Sequence, residues 1–336
     1  MEVATQVADR AFISVLKELL GPYRENRRGT RTVQSPNHPG VPANRLDAVA
    51  EEAARTGLHE LSASRGPAHG PNRVHYCGEE SAGIGTQNLH SGDFIVRTDP
   101  LDGTTNAVTI LTGFASVALV DRVEDQNVTH LAGAIVSGHI DVRWYVAERD
   151  WYADGVDTPL EGRVFVRAPR LPGDNWAPLP LQRNKRLNTL AAVAASRSRW
   201  QMCDRVAQGA LADGGRFYNL AGNPYCGSLL IGQLGGVFEP SNVTLHDSAY
   251  LIPLLLAGGS VEDLQGMRLD YLSLYETNAL DFALDRKPVP PFLAYLGHRP
   301  PGTFDAVASE GDHSFEGFKL QEDTPPGALF RYPPTV

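Results

Sequence analysis

Apolar residues recur every fourth position at the start of the chain: Val3, Val7, Ala11, Val15 and Leu19, with Phe12, Leu16 and Leu20 beside them. That period predicts an amphipathic helix, and Gly21-Pro22 ends it. Residues 24–43 are polar and rich in Arg, Pro and Gly, and predict a loop. A second helix is predicted from about Leu46 to Leu61, with Leu46, Val49, Ala50, Ala53, Ala54 and Leu58 on its apolar side. Asp47 and Glu51 share another face of that helix one turn apart, and read most simply as a solvated polar face.

Five short β-rich runs follow, at Val74 to Cys77, Phe94 to Thr98, Phe114 to Val120, Ala132 to Val136 and Val142 to Ala147. Five prolines between 151 and 188 mark a boundary or an insert. Beyond them the pattern predicts a strand at about Leu190 to Ala195, a helix from about Ser198 to Ala212, and another near Gly227 to Leu234. A last helix is expected to open at Asp247, with Pro253 inside it as a kink. After about Ala283 closely spaced prolines predict an extended or irregular tail. This gives an α/β protein in three parts: an α+β half over 1–150, an α/β half over 151–285, and a Pro-rich extension over 286–336.

Composition narrows the function. At 336 residues, 42% of them hydrophobic, the chain buries a sizeable core. A formal charge of −9 argues against a nucleic-acid surface, though not against a phosphorylated small substrate, since a bound cation inverts the local field. Cys77, Cys203 and Cys226 are scattered with no CxxC spacing, which suggests a reducing compartment and no structural zinc. The first helix carries Glu2, Asp9 and Glu18, unlike a signal peptide, and no apolar run approaches the roughly 20 residues of a membrane span. A cytoplasmic protein with no membrane partner is expected.

The chemistry concentrates in Asp99-Pro-Leu-Asp-Gly-Thr-Thr105, which follows the apolar run Phe94-Ile95-Val96. Pro100 fixes its own φ and pushes Asp99 out of the α region, so the strand is expected to stop there and turn. Asp99 and Asp102 then converge, and the N–H groups of Gly103 to Thr105 open a helix toward an anion. Carboxylates beside such a helix end are the parts needed to hold Mg²⁺ against a phosphate. Two further stretches belong with it: Gly78-Glu-Glu-Ser81 upstream, and His246-Asp-Ser-Ala249, which opens the apolar segment Leu251 to Ala257. The ten histidines form no HxxxH or HxH pair. Cys226, in Gly222-Asn-Pro-Tyr-Cys-Gly227, has no nearby activating base and reads as a small buried hydrophobe.

Together, DPLDGTT, GEES and HDSA resemble the three metal-binding motifs of the inositol monophosphatase-like phosphatases. That superfamily also holds fructose-1,6-bisphosphatases and phosphoadenosine phosphate phosphatases. The resemblance runs from about Asp47 to Asp263 and implies a layered αβαβα sandwich that uses two or three Mg²⁺ ions. It places Glu80, Asp99 and the Leu101 carbonyl on one ion, and Asp99, Asp102 and Asp247 on a second. Glu79 becomes an outer or third-ion carboxylate. Thr104 orients the attacking water with Asp47 as its partner, and Gly103, Thr104 and Thr105 grip the phosphate. Glu239, Asn223, Tyr225 and His246 fall nearest the positions that recognise the alcohol.

Two positions depart from the family pattern. His246 stands where Trp is usual, and Ala107 where Phe or a similar residue is common. Both put myo-inositol 1-phosphate in doubt and favour a phosphorylated sugar, cyclitol, nucleoside or specialised intermediate. A phosphatase of primary metabolism is the first alternative, and a non-catalytic phospho-ligand binder the second. The resemblance also implies a homodimer.

Overall fold

A computed structural model describes residues 1–20, 32–34, 42–64, 73–79, 89–104, 106–107, 113–125, 127–147, 163–168, 175–179, 189–192, 203, 206–208, 211, 214–219, 222–269, 289–297 and 299. Helix α1 (Glu2–Leu20) buries Ala4, Val7, Ala8, Ala11, Phe12 and Val15, the stripe that its fourfold period prescribes. Helix α2 (Arg45–Ser64) lays Leu46, Ala50, Ala54 and Leu58 against it. Arg10–Glu60 and Arg45–Glu18 pair across the two helices at 2.5 and 2.9 Å. Both pairs are solvated, so the apolar stripe does most of the holding. Between the helices, where a loop was expected, β1 (Thr32–Gln34) and β2 (Pro42–Asn44) pair antiparallel. Two three-residue strands in a Pro- and Gly-rich stretch leave little periodic signal.

The first sheet has seven strands in sequence order: β3 (Val74–Gly78), β4 (Phe94–Asp102), β5 (Ala115–Glu124), β6 (Asn127–Val136), β7 (Asp141–Tyr145), β8 (Val164–Arg167) and β9 (Ala177–Pro178). β3 runs parallel to β4 and every later pair is antiparallel. The stretch 151–188 therefore contributes two strands to the same sheet. One face presents Val96, Ala118, Ala134 and Val136 to α1 and α2. The other presents Val117, Leu119, Ile135, Val142 and Trp144 to α3 (Cys226–Leu230) and α4 (Leu251–Leu256).

Behind α3 and α4 lies a five-stranded sheet of β10 (Thr189–Ala192), β11 (Arg216–Asn219), β12 (Gly236–Glu239), β13 (Ser260–Asp263) and β14 (Phe292–Tyr295), in the order β11-β10-β12-β14-β13. Val237, Val261, Phe292 and Ala294 face the two helices. Leu190, Phe238, Leu293 and Tyr295 face Cys203 and Val206, which are helical. Helices, sheet, helices, sheet, helix: the expected αβαβα sandwich is the fold. The packed structure does not end at 286, however. β14 lies between β12 and β13, with Phe292, Leu293 and Ala294 fully buried. Its prolines mislead because Pro290 and Pro291 precede the strand, where no ladder N–H is needed.

A buried polar chain crosses the first sheet. Arg97 Nε on β4 donates to Asp121 Oδ2 on β5 at 2.6 Å, and His130 Nδ1 on β6 meets Asp121 Oδ1 at 2.8 Å. Trp144 Nε1 on β7 donates to His130 Nε2 at 3.0 Å. The indole has only a hydrogen to give, so His130 accepts at Nε2 and donates from Nδ1. The alignment depends on a bulge: β6 carries the extra residue Leu131, so that His130 stands opposite Asp121. Burial pushes Asp121 up, but the Arg97 charge and the His130 hydrogen bond outweigh it and hold the carboxyl below its usual range. Burial lowers His130 and keeps it neutral. Removing the carboxylate takes the acceptor from Arg97 Nε and His130 Nδ1, both buried, so Asp121→Ala is expected to cost about 3–5 kcal/mol in urea unfolding. A loss below about 1 kcal/mol would mean that the chain of bonds holds nothing together.

Candidate functional site

The first motif lies on a bulge rather than beyond a strand end. β4 continues through Pro100: Asp99 pairs with Val117 and Asp102 with Ala115, three residues against two. Proline tolerates this position because a bulge residue owes the ladder no N–H. In a regular strand residues three apart point to opposite faces. The extra residue resets that alternation, and the charge of Asp247 bears on both Asp99 and Asp102. Leu101 turns its side chain into the α1–α2 core. Its N–H donates to Asp99 Oδ1 at 3.1 Å, and Ser116 Oγ donates to the Pro100 carbonyl at 2.6 Å.

The chain then pivots at Gly103, whose φ is +85°, and a Cβ there would lie 2.6 Å from the Gly113 carbonyl. Only glycine fits both conditions. Thr104 follows, and Ala107 N–H bonds back to the Gly103 carbonyl at 3.0 Å as a first helical turn. The Thr104 hydroxyl lies 2.7 Å from Asp47 Oδ1 and 3.0 Å from the Leu101 carbonyl. Asp47 thus comes from the first turn of α2 to meet the motif, 57 residues away in sequence. One turn on, Glu51 is buried and packs its carboxylate over Gly78, where any Cβ would overlap it. Its charge also helps raise Tyr76, after burial. Sequence reasoning left Glu51 as a polar helix face; the only signal for it was its i+4 spacing from Asp47.

The third motif sits in turns, and α4 opens at Leu251 rather than at Asp247. Pro253 explains the delay, since its ring excludes the helical bond to the carbonyl of residue 249 but is tolerated in a first turn. Asp247 Oδ2 accepts from Thr244 N–H at 3.2 Å and Thr244 Oγ1 at 2.5 Å. Asn223, fully buried in a 3₁₀ turn (Asn223–Tyr225), clamps the motif from behind. Its Nδ2 donates to the His246 carbonyl at 2.7 Å, and its Oδ1 accepts from Tyr250 N–H at 3.0 Å. Glu239 is also buried, and its Oε1 accepts from Ser241 N–H at 3.2 Å and Ser241 Oγ at 2.6 Å. Tyr225 directs its hydroxyl toward Gly113. Glu80 and Thr105 lie outside the described residues. Burial pushes the Cys226 thiol far up, so it is no nucleophile.

Electrostatically the centre is acidic and unfinished. Burial, and then the charges of Glu79, Asp102 and Asp247, hold Asp99 well above the usual carboxylate range. Burial and Asp247 raise Asp102 to about 7, against hydrogen bonds from Asn223. Asp102 Oδ2 is buried without a hydrogen-bond partner, which is costly unless a cation completes it. Hard carboxylate oxygens converging from separate segments suit Mg²⁺. Glu79, His246 and Asp247 bring one ligand atom each within 4.8 Å of one another.

The sequence matches no protein-family profile and no curated protein. Solved structures do match. Inositol monophosphatase II from Staphylococcus aureus is 15% identical over 93% of this chain and 96% of that one, with a TM-score of 0.54. The extragenic suppressor protein SuhB from Bartonella henselae is 17% identical over 89% and 94%, also at 0.54. An IMPase/NADP phosphatase complexed with Mg²⁺ and phosphate is 15% identical over 90% and 95%, at 0.50. At such identities the likeness is one of fold, and the fold of this chain is that of the inositol monophosphatase-like proteins. No described helix is long and apolar enough to cross a membrane.

Cation binding at this centre requires the carboxylate form, and Asp102 keeps its proton up to about pH 7. A carboxyl raised from 3.8 to about 7 makes the metal-free fold less stable as pH rises through that window. Added Mg²⁺ is expected to reverse the loss if these carboxylates are its ligands. The increase in melting temperature caused by Mg²⁺ is therefore expected to grow from pH 6 to pH 8, and Asp102→Asn to flatten it. An increase independent of pH would remove Asp102 from the ligand set.

Proposed function

We propose that this chain is an inositol monophosphatase-family enzyme, a Mg²⁺-dependent phosphatase that hydrolyses a small phosphate monoester. The observation that carries the reading is the Thr104–Asp47 hydrogen bond at 2.7 Å, set one residue beyond Gly103 and beside buried Asp99 and half-buried Asp102. A metal-binding module without catalysis has no need of a hydroxyl–carboxylate pair there.

Asp99, Asp102, Asp247, Glu79, Glu80 and the Leu101 carbonyl are the groups to hold two or three Mg²⁺ ions. Divalent cations so held supply charge stabilisation at the phosphoryl oxygens and lower the pKa of a water. The remaining work falls to the protein. With its hydrogen directed at Asp47 Oδ1, Thr104 Oγ has lone pairs free to accept from a water and aim its oxygen at phosphorus. Asp47 takes the proton passed through that hydroxyl. The N–H groups of Gly103 and Thr104 open a helical turn, where they have no helical carbonyl to bond and face the phosphate oxygens; Thr105, next in sequence, is assigned to the same anion. No covalent phosphoenzyme is expected, because the site offers no separate nucleophile among its described residues.

Tyr225, His246, Asn223 and Glu239 shape the alcohol side, with Asn223 and Glu239 acting from within the core. The half of the chain up to about 150 carries most of the metal ligands, and 151–285 the pocket. The enzyme works as a cytoplasmic homodimer on a phosphorylated sugar, cyclitol, nucleoside or specialised intermediate.

Phosphate release from a panel of phosphorylated sugars, inositols and nucleosides, with and without Mg²⁺, tests the reading. Release from one class, lost with EDTA, is expected. Asp99→Asn and Asp102→Asn are expected to abolish it with the fold intact. Thr104→Ala is expected to lower kcat by about 10²–10⁴-fold while Mg²⁺ affinity holds. Full turnover in both aspartate variants would sink the assignment.

A further inference from the structure

One side chain sealed beside the site has no part in the chemistry above. Tyr250 caps the start of α4, three residues after Asp247, and only 1% of it is exposed. Its ring lies against Phe292 of β14, with centroids 6.2 Å apart. It also lies over the turn at Gly222, where a Cβ would sit 2.5 Å from Cε1 and 3.2 Å from Cζ. Packing therefore fixes the ring on two sides. The hydroxyl at its tip is buried and has no hydrogen-bond partner. A buried phenol ordinarily finds one, and going without costs stability.

Asp102 is the complementary case. Its Oδ2 is buried and likewise has no partner. Both groups meet the same turn: Asn223 hydrogen-bonds to Asp102, and its Oδ1 accepts from the Tyr250 N–H at 3.0 Å. The charges of Glu239 and Asp102 both bear on the Tyr250 hydroxyl. Glu239 already takes two hydrogen bonds from Ser241 on one oxygen, whereas Asp102 Oδ2 takes none. Burial, and then those two charges, hold the phenol well above its ordinary pKa, so it stays a donor. A buried donor without an acceptor thus stands near a buried acceptor without a donor.

We propose that Tyr250 is a positioning residue whose hydroxyl is the outer donor to Asp102 Oδ2 when that carboxylate holds a cation. The proposal rests on the Mg²⁺ reading above. A carboxylate that gives one oxygen to a metal is held by hydrogen bonds from outside, which orient it. Tyr250 acts through Asp102 and does not touch the substrate. Its hydroxyl is a burden on the metal-free fold and a support to the loaded one.

The experiment uses the full chain with Tyr250→Phe, which keeps the ring and removes only the donor. Stripped with chelator, the variant is expected to melt at the wild-type temperature or above it, since no bond is lost. Calorimetric titration with Mg²⁺ is expected to show affinity about 10-fold weaker, the lower end of the loss when an outer partner of a ligand is removed. A packing role would leave that affinity unchanged, because the ring stays. Tyr295→Phe is the control: it loses a bond to Glu262 on β13 and is expected to bind Mg²⁺ as the wild type does. Equal Mg²⁺ affinity in wild type and Tyr250→Phe overturns the proposal. So does an equal loss in Tyr295→Phe, or a lower melting temperature of the stripped Tyr250→Phe chain. The two readings fail separately. Mg²⁺-dependent phosphate release with unchanged Mg²⁺ affinity in Tyr250→Phe sinks the positioning role alone. Weakened Mg²⁺ binding in that variant, with no phosphate released from any substrate by the wild type, sinks the phosphatase alone.

Discussion

The site depends on one extra residue in one strand. Without the bulge at Pro100, the pleat of β4 would send Asp99 and Asp102 to opposite faces of the sheet, one toward α3 and α4 and the other into the α1–α2 core. With it, Leu101 takes the core-facing position and both carboxylates reach the influence of Asp247. Proline fits because it has no N–H to lose, and the Ser116 hydroxyl satisfies its carbonyl. The left-handed turn at Gly103 then delivers Thr104 to Asp47. Each later feature of the site inherits its direction from that irregularity.

The layered fold makes such an irregularity affordable. The first sheet is covered on both faces, and α4 contributes six consecutive buried residues, Leu251 to Leu256, each apolar side chain stabilising by about 1.5–3 kcal/mol. Against that background a few raised carboxyls and an unpartnered Asp102 oxygen are tolerable. The carboxylates come from β4, from the end of β3 and from the turns ahead of α4, so the relative placement of sheet and inner helices sets their separation. Asn223 is the joint between these parts, bonding the third motif on both sides of Asp247.

Much of this was legible in the sequence, for reasons that differ by element. α1 and α2 announce themselves by long, regular apolar stripes. The strands through Val142 stand out as β-branched runs. The meeting of Thr104 with Asp47, and of Asp99 and Asp102 with the charge of Asp247, was legible because their motifs are dense and ordered along the chain. What escaped was whatever depends on contacts rather than period. The strand's passage through Pro100 is invisible to a rule that treats proline as a stop. Glu51 looks solvated until β3 packs over it. Asn223 reads as a pocket residue, though its amide serves the backbone around Asp247. β14 is four apolar residues among prolines, and only its two neighbours in the sheet make it a strand.

That last strand carries a consequence for how the molecule is made. β13 touches the rest of its sheet through β14 alone, and β14 follows it after 28 intervening residues, last of all the described strands. During synthesis β12 and β13 therefore emerge with the gap between them still open and their apolar faces unpaired. The first sheet, built almost wholly from neighbours in sequence, has no such wait. The half built around the first sheet can assemble on the ribosome while the second sheet still lacks the strand that joins β12 to β13. The turn that holds Asp247 waits with it, since Val243, just ahead of Thr244, bridges to Val289, three residues before β14.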